Sequence, residues 1–261
     1  MITNPFRAAA SRFSVRVLLA IAAALALIVA RRHASHPIVH ANPTTIADEN
    51  RLKPGATDWD ISAAGDPDIQ GFATDISVNV GETVHFKILA PGATAGYRID
   101  IYRLGYYGGA GATLVATTAP TAPMPQTQPA CLSQLATTGL IDCGNWAESG
   151  TWDVPATSVS GIYIAKLTRH DNGHHSHIVF IVRDDSRDAD IVFQTSDTTW
   201  QAYNQYPGVT NGGASLYCGG PLSNDGSSYA RSCGTRAAKV SYNRPFDTRA
   251  HDPQSWVFNA E

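Results

Sequence analysis

Between Thr74 and Val182, apolar side chains return at every second position in short runs: Ile76, Val78 and Val80, then Val84, Phe86 and Ile88, then Tyr97, Ile99 and Ile101 ahead of Arg103. A period of two sends successive side chains to opposite faces, so each run predicts a strand with one buried face. Thr113 to Ala116, Gly161 to Arg169 and Ser176 to Val182 complete the set. Gly81-Glu82 and Ala90-Pro91-Gly92 are turn chemistry at hairpin spacing, and Asp171-Asn172-Gly173 predicts a hairpin between the last two runs. Together these elements predict an antiparallel β-sandwich over residues 71–185. Its one long excursion, Thr118 to Ser158, carries Cys131 and Cys143.

The pattern changes beyond the charged stretch Arg183-Asp184-Asp185-Ser186-Arg187-Asp188. Ala189 to Gln194 predicts a short buried strand opening an α/β layer, Lys239-Val240-Ser241 a neighbouring strand, and Asp252 to Ala260 a helix capped by Asp252 with Pro253 at its first position. One or two strands and a few helical turns do not bury an α/β core, so residues 189–261 are expected to be the N-terminal fragment of such a domain. Residues 33–70 are polar, with Pro37, Pro43 and Pro54, and predict an extended linker or a strap over the sandwich.

Residues 1–32 carry Arg7, Arg12 and Arg16 before an unbroken apolar run from Val17 to Ala30, the plan of a signal peptide. As a helix the run spans about 21 Å, short of the roughly 30 Å hydrocarbon core. Arg31 and Arg32 follow it directly, leaving two outcomes, a cleaved signal or a retained signal anchor with the body outside. Either predicts an extracytoplasmic protein that meets the membrane only through this segment. Four cysteines in even number agree with export. No C-x-x-C pair suggests zinc, and the spacing predicts two local disulfides, Cys131 to Cys143 and Cys218 to Cys233. A net charge of −3 and no basic stripe in the mature part argue against nucleic acid as a partner.

Candidate chemistry is sparse. His170, His174, His175 and His177 fall within eight residues, but alternate positions beside a hairpin face opposite ways, which favours surface histidines over a metal site. Gly105-Tyr106-Tyr107-Gly108-Gly109 reads as a glycine-rich strand end or as an aromatic platform for a glycan. Asp184, Asp185, Asp188 and Asp190 read as a solvated linker, lacking the glycine that a calcium loop needs. No nucleophile-elbow, H-E-x-x-H, Walker or dinucleotide motif is present, and no catalytic residue is assigned. Tyr203, in Trp200-Gln201-Ala202-Tyr203-Asn204, and Tyr242, in Tyr242-Asn243-Arg244-Pro245, stand after the two expected α/β strands, where such sheets bind ligands. Two phenols there suit a hard ion such as Fe(III) or, alternatively, are half-buried aromatics hydrogen-bonded through their hydroxyls.

Four stretches carry a resemblance: Gly71 to Asn79, Tyr97 to Gly109, Phe193 to Asn204 (F-Q-T-S-D-T-T-W-Q-A-Y-N) and Lys239 to Phe246 (K-V-S-Y-N-R-P-F). In them the chain resembles proteins with the C-terminal domain of the N,N-dimethylformamidase large (beta) subunit. The resemblance covers about residues 45 to 261 and implies a β-sandwich followed by a glutamine-amidotransferase-like α/β domain. It implies a mononuclear Fe(III) held by two tyrosines, matched here by Tyr203 and Tyr242, together with a glutamate, and hydrolysis of the C–N bond of small linear amides. That glutamate belongs to a Gly-His-Asp-Glu-Tyr-Trp motif, which this sequence lacks, and Glu261 does not match it. The chain as given is therefore expected to hold iron weakly or not at all and to be inactive. The alternative is an extracytoplasmic protein whose sandwich binds a surface glycan or envelope polymer without catalysis.

Overall fold

The computed structural model describes residues 45–61, 66–208, 212–217 and 236–246. Every described residue lies in one compact unit of the chain. The signal-like segment 1–32, the pair Cys218 and Cys233, and the helix expected from Asp252 lie outside the described residues.

The fold is mostly β-sheet with few helices. One sheet has three strands in the order β1 (Gln70–Ala73), β3 (Thr83–Leu89), β8 (Gly150–Asp153). The other has five, in the order β2 (Ser77–Asn79), β10 (His175–Arg183), β9 (Gly161–Arg169), β4 (Tyr97–Leu104), β5 (Ala112–Thr118). Alternation along β3 turns Val84, Phe86 and Ile88 inward, where they meet Tyr97, Ile99, Ile101, Tyr163, Ala165, Leu167, Ile178, Phe180 and Val182 of the larger sheet in one core. At its centre Phe180 packs on Phe86, Trp152 and Tyr163, with ring centroids 5.9, 6.0 and 5.7 Å away.

Two sequence expectations change here. The runs around Val78 and Phe86 do not form a hairpin: β2 joins β10 and β3 joins β1, so the chain crosses between sheets at Gly81, which sits at φ +80°. The spacing of a turn is the same for a hairpin and for such an arch; what selects the arch is that both Val78 and Val84 must face one core from opposite sides. β2 also runs parallel to β10, so the sandwich is not wholly antiparallel. The Asp171-Asn172-Gly173 hairpin forms as expected, with Gly173 at φ +75° and eight residues of β9 and β10 in antiparallel register.

The outer face of the larger sheet is covered by the strap from Thr45 to Ile61. Thr45 caps a helix, α1 (Ile46–Leu52), by accepting from the Asp48 amide, a helix the polar sequence does not announce. Buried Glu49 pairs with Arg103 at 3.1 Å, and the Asn50 side-chain oxygen accepts from the amides of Tyr106 and Tyr107. Further on, Asp58 accepts from the Tyr102 hydroxyl at 2.9 Å and the Trp59 carbonyl meets His177 at 2.7 Å.

The excursion holds a hairpin, β6 (Leu132–Gln134) and β7 (Leu140–Asp142), stapled by the disulfide Cys131–Cys143. Cys143 is fully buried beside Phe72, Trp146 and Tyr206. Beyond β10 the expected strands do not form. Ile191, Val192 and Phe193 are 79–86% exposed, and neither they nor Lys239 to Ser241 pair with any strand among the described residues. A parallel strand needs ladder partners and cover on both faces, which these runs do not receive here. The only helix described in this region is α2 (Asp197–Tyr203).

Candidate functional site

The C-terminal segments gather on the stapled hairpin. Ala238 donates its amide to the Thr138 carbonyl at 2.7 Å, Cys143 to the Asn243 carbonyl at 2.6 Å, and the Ser241 hydroxyl to the Asp142 carboxylate at 2.7 Å. At the hairpin tip, Gly139 sits at φ +73°, and a Cβ there would fall 2.7 Å from the Ala237 Cα, so glycine is needed for both backbone and space. The excursion is thus the seat on which the Tyr242 segment lies.

Tyr203 ends α2 and Tyr242 lies in the loop 241–244, both partly exposed, at 37% and 39%. Tyr242 donates its hydroxyl to Asp197 at the start of α2 at 2.7 Å, and Asp197 also accepts from Thr195 at 3.2 Å. Desolvation first, and the neighbouring Asp197 carboxylate second, push the Tyr242 phenol up to about 12. The ring of Tyr203 stacks on Tyr217, with centroids 4.2 Å apart and planes 16° from parallel. The structure therefore adds Tyr217 and Asp197 to the two tyrosines that the sequence singles out. Asp197 stands inside the resembling stretch at Phe193 to Asn204, whereas Tyr217 carries no signal beyond the glycine pair Gly212-Gly213 that turns the chain toward it.

Behind these side chains lies Arg244, with no exposed surface at all. Its guanidinium donates to the carbonyls of Ser241, Ala214, Gln201 and Asn204 at 3.0–3.4 Å. Burial lowers its pKa to about 10, against a smaller opposing pull from Asp142, so it remains a cation at neutral pH. Asn204 adds a bond from its side-chain amide to the Pro245 carbonyl at 2.9 Å. Phe72, Ile178, Gln201, Tyr242 and Phe246 line a small apolar cleft between this region and the sandwich.

The other candidates separate. His177 is buried against the strap, His174 pairs with Asp68 at 2.9 Å, and His170 meets the Ala95 carbonyl at 3.1 Å. Among the described residues no group of three or more His, Cys, Asp or Glu side chains gathers as a metal site. Tyr106 is 73% exposed but Tyr107 is buried, at φ 41°, with its hydroxyl accepting from Arg103 at 2.8 Å, so the pair makes no two-ring platform. No described helix is long and apolar enough to cross a membrane.

No curated protein matches the chain. Among solved structures, Escherichia coli alpha-2-macroglobulin activated by porcine elastase is 12% identical over 44% of this chain, at a TM-score of 0.28, and this chain spans 8% of its length. Domain 1 of VCBP3 from Branchiostoma floridae is 8% identical over 46% of this chain and 97% of its own, also at 0.28. An AA10 lytic polysaccharide monooxygenase from Streptomyces lividans is 15% identical over 41% of this chain and 58% of its own, at 0.23. The family described as "N,N-dimethylformamidase beta subunit-like, C-terminal" matches residues 98–260, from the second residue of β4 through both tyrosine segments. With more than half of its length matched, the chain belongs to that N,N-dimethylformamidase beta subunit-like family.

Proposed function

We propose that this is an exported dimethylformamidase-like protein whose parent activity is iron-dependent hydrolysis of the C–N bond of a small linear amide, with Tyr203 and Tyr242 as the metal ligands. The observation that carries the reading is the family match, which takes in both tyrosines. Donor chemistry agrees with it, because phenol and carboxylate oxygens are hard donors and Asp197 stands beside Tyr242. The Cys131–Cys143 disulfide supports the export part.

When bound, ferric iron supplies polarisation of the amide carbonyl and acidification of water. The chain's own residues bind and orient. Asp197 accepts from the Tyr242 hydroxyl and orients it, while the Tyr217 ring covers one face of Tyr203. The test is a ferric titration of the full chain followed by visible absorption. A phenolate-to-iron band that appears on adding Fe(III), and is lost in both Tyr203→Phe and Tyr242→Phe, supports the reading. A band indifferent to both substitutions, or none in the unaltered chain even at a large excess of Fe(III), where a weak site lacking the glutamate fills, refutes it. Amine release from a small formamide, measured on the same samples, reads the activity.

A further inference from the structure

We infer that Arg244 is the positioning residue of the tyrosine cluster, a single buried guanidinium that fixes the three segments carrying Tyr203, Tyr217 and Tyr242 relative to one another. Its bonds are distributed in the way this role requires. One terminal nitrogen donates to the carbonyls of Gln201 and Asn204, at 3.2 and 3.0 Å, on either side of Tyr203. The other reaches the Ala214 carbonyl at 3.4 Å, three residues before Tyr217. Its Nε donates to the Ser241 carbonyl at 3.2 Å, and its own amide to the Tyr242 carbonyl at 2.9 Å.

Two of these carbonyls, Gln201 and Asn204, need a donor, since the last turn of a helix leaves its C=O groups without helical partners and α2 ends at Tyr203 with Asn204 as its cap. A buried cation is costly, and this one is balanced chiefly by four backbone carbonyls, with a smaller contribution from the Asp142 carboxylate. Only a planar fork with five fixed donors serves three segments at once; a lysine ammonium has three donors from one point. The near-parallel stack of Tyr203 on Tyr217 is what two backbones pinned to one rigid group produce. Leu216 adds an amide bond to the Ala202 carbonyl at 3.0 Å, which keeps the same two segments in register.

The inference rests on the iron reading for its functional meaning, but its test has an arm that does not involve the metal. In the full chain, nitration by tetranitromethane with mass mapping reads the exposure of each phenol, and buried Tyr97, Tyr102 and Tyr107 serve as unreactive references. Arg244→Lys is expected to nitrate several-fold faster at Tyr203 and Tyr217, with the sandwich's thermal transition unchanged, and to bind Fe(III) about tenfold more weakly. Unchanged nitration in Arg244→Lys overturns the inference, whatever iron does. So does loss of the sandwich transition in both Arg244→Lys and Arg244→Gln, which would make Arg244 a residue of general folding. If the unaltered chain shows no ferric band while nitration responds as expected, the iron reading falls and the positioning role stands.

Discussion

The sandwich and the region beyond Asp184 are held together by opposite means. In the sandwich, apolar side chains from two sheets bury one another, and the Phe180 ring touches those of Phe86, Trp152 and Tyr163. Among the described residues beyond Asp184 the apolar run Ile191-Val192-Phe193 faces solvent, and the buried polar centre is Arg244 with Gln201 and Asn204. Burial of apolar area is non-directional and tolerates small shifts, whereas hydrogen bonds to a guanidinium fix angles as well as distances. The candidate chemistry sits in the second kind of region, where geometry is specified most tightly.

The largest effect should come from breaking the apolar side of this contrast. Phe180→Ala removes the ring that touches three others and should cost about 3–5 kcal/mol, read by urea unfolding followed through tryptophan fluorescence. A loss under about 1 kcal/mol would mean that the core collapses around the gap and is not tightly packed.

The next effect tests how the two regions join. Opening the disulfide, which closes 12 residues, by Cys131→Ala with Cys143→Ala should cost about 3 kcal/mol by the chain-entropy model. Because the stapled hairpin is the seat of the Tyr242 segment, exchange of the backbone amides at Ala238 and at position 143 should rise along with it. Protection that survives at those two amides would show that the seat holds without its staple.

The sequence announces the sandwich through alternation and announces little else. Strands of seven to nine residues such as β3, β9 and β10 carry enough periods to be recognised, whereas β1 and β8 have four residues each and pass as loop. Trp152 is the one large core residue of β8, and one position has no period. The run Ile191 to Phe193 shows the converse failure, since apolar composition predicts burial only where partners exist. Tyr203 and Tyr242 were legible as candidates through expected strand ends and the family resemblance, although they stand at a helix end and in a loop. Arg244 was not legible as a buried residue. An arginine in an Asn-Arg-Pro loop looks like surface, and only the convergence of four distant carbonyls makes its burial tolerable.

The smallest effect concerns charge at the far end of the sandwich. A hydrogen bond from His174 to the Asp68 carboxylate raises the imidazole pKa above its ordinary 6.5. A raised folded-state value adds stability that is fully present below the ordinary value and lost as pH rises through the raised one. His174→Ala should therefore lower the thermal midpoint slightly at about pH 5.5 and leave it unchanged at about pH 9. Beside it, the Arg169 guanidinium holds the Asp171 carboxyl down to about 2, a contribution present above the ordinary 3.8 and lost as pH falls toward 2. Equal effects of His174→Ala at both pH values would show that the ring acts by packing alone.

The irregular pairing of β4 with β5, where register shifts between Ile101 and Tyr102, bears on how this protein behaves in a crowd. Strand β5 is the open rim of the larger sheet, and with Leu114 and Val115 exposed it resembles a template for joining another chain edge to edge. The bulge twists that rim away from a flat ribbon, and the strap occupies its beginning, where the Ala56 amide bonds the Ala112 carbonyl at 2.8 Å. A docking neighbour would meet a register irregularity within the strand and a carbonyl already taken at Ala112, so this rim is a poorer template than a flat, unpaired strand would be.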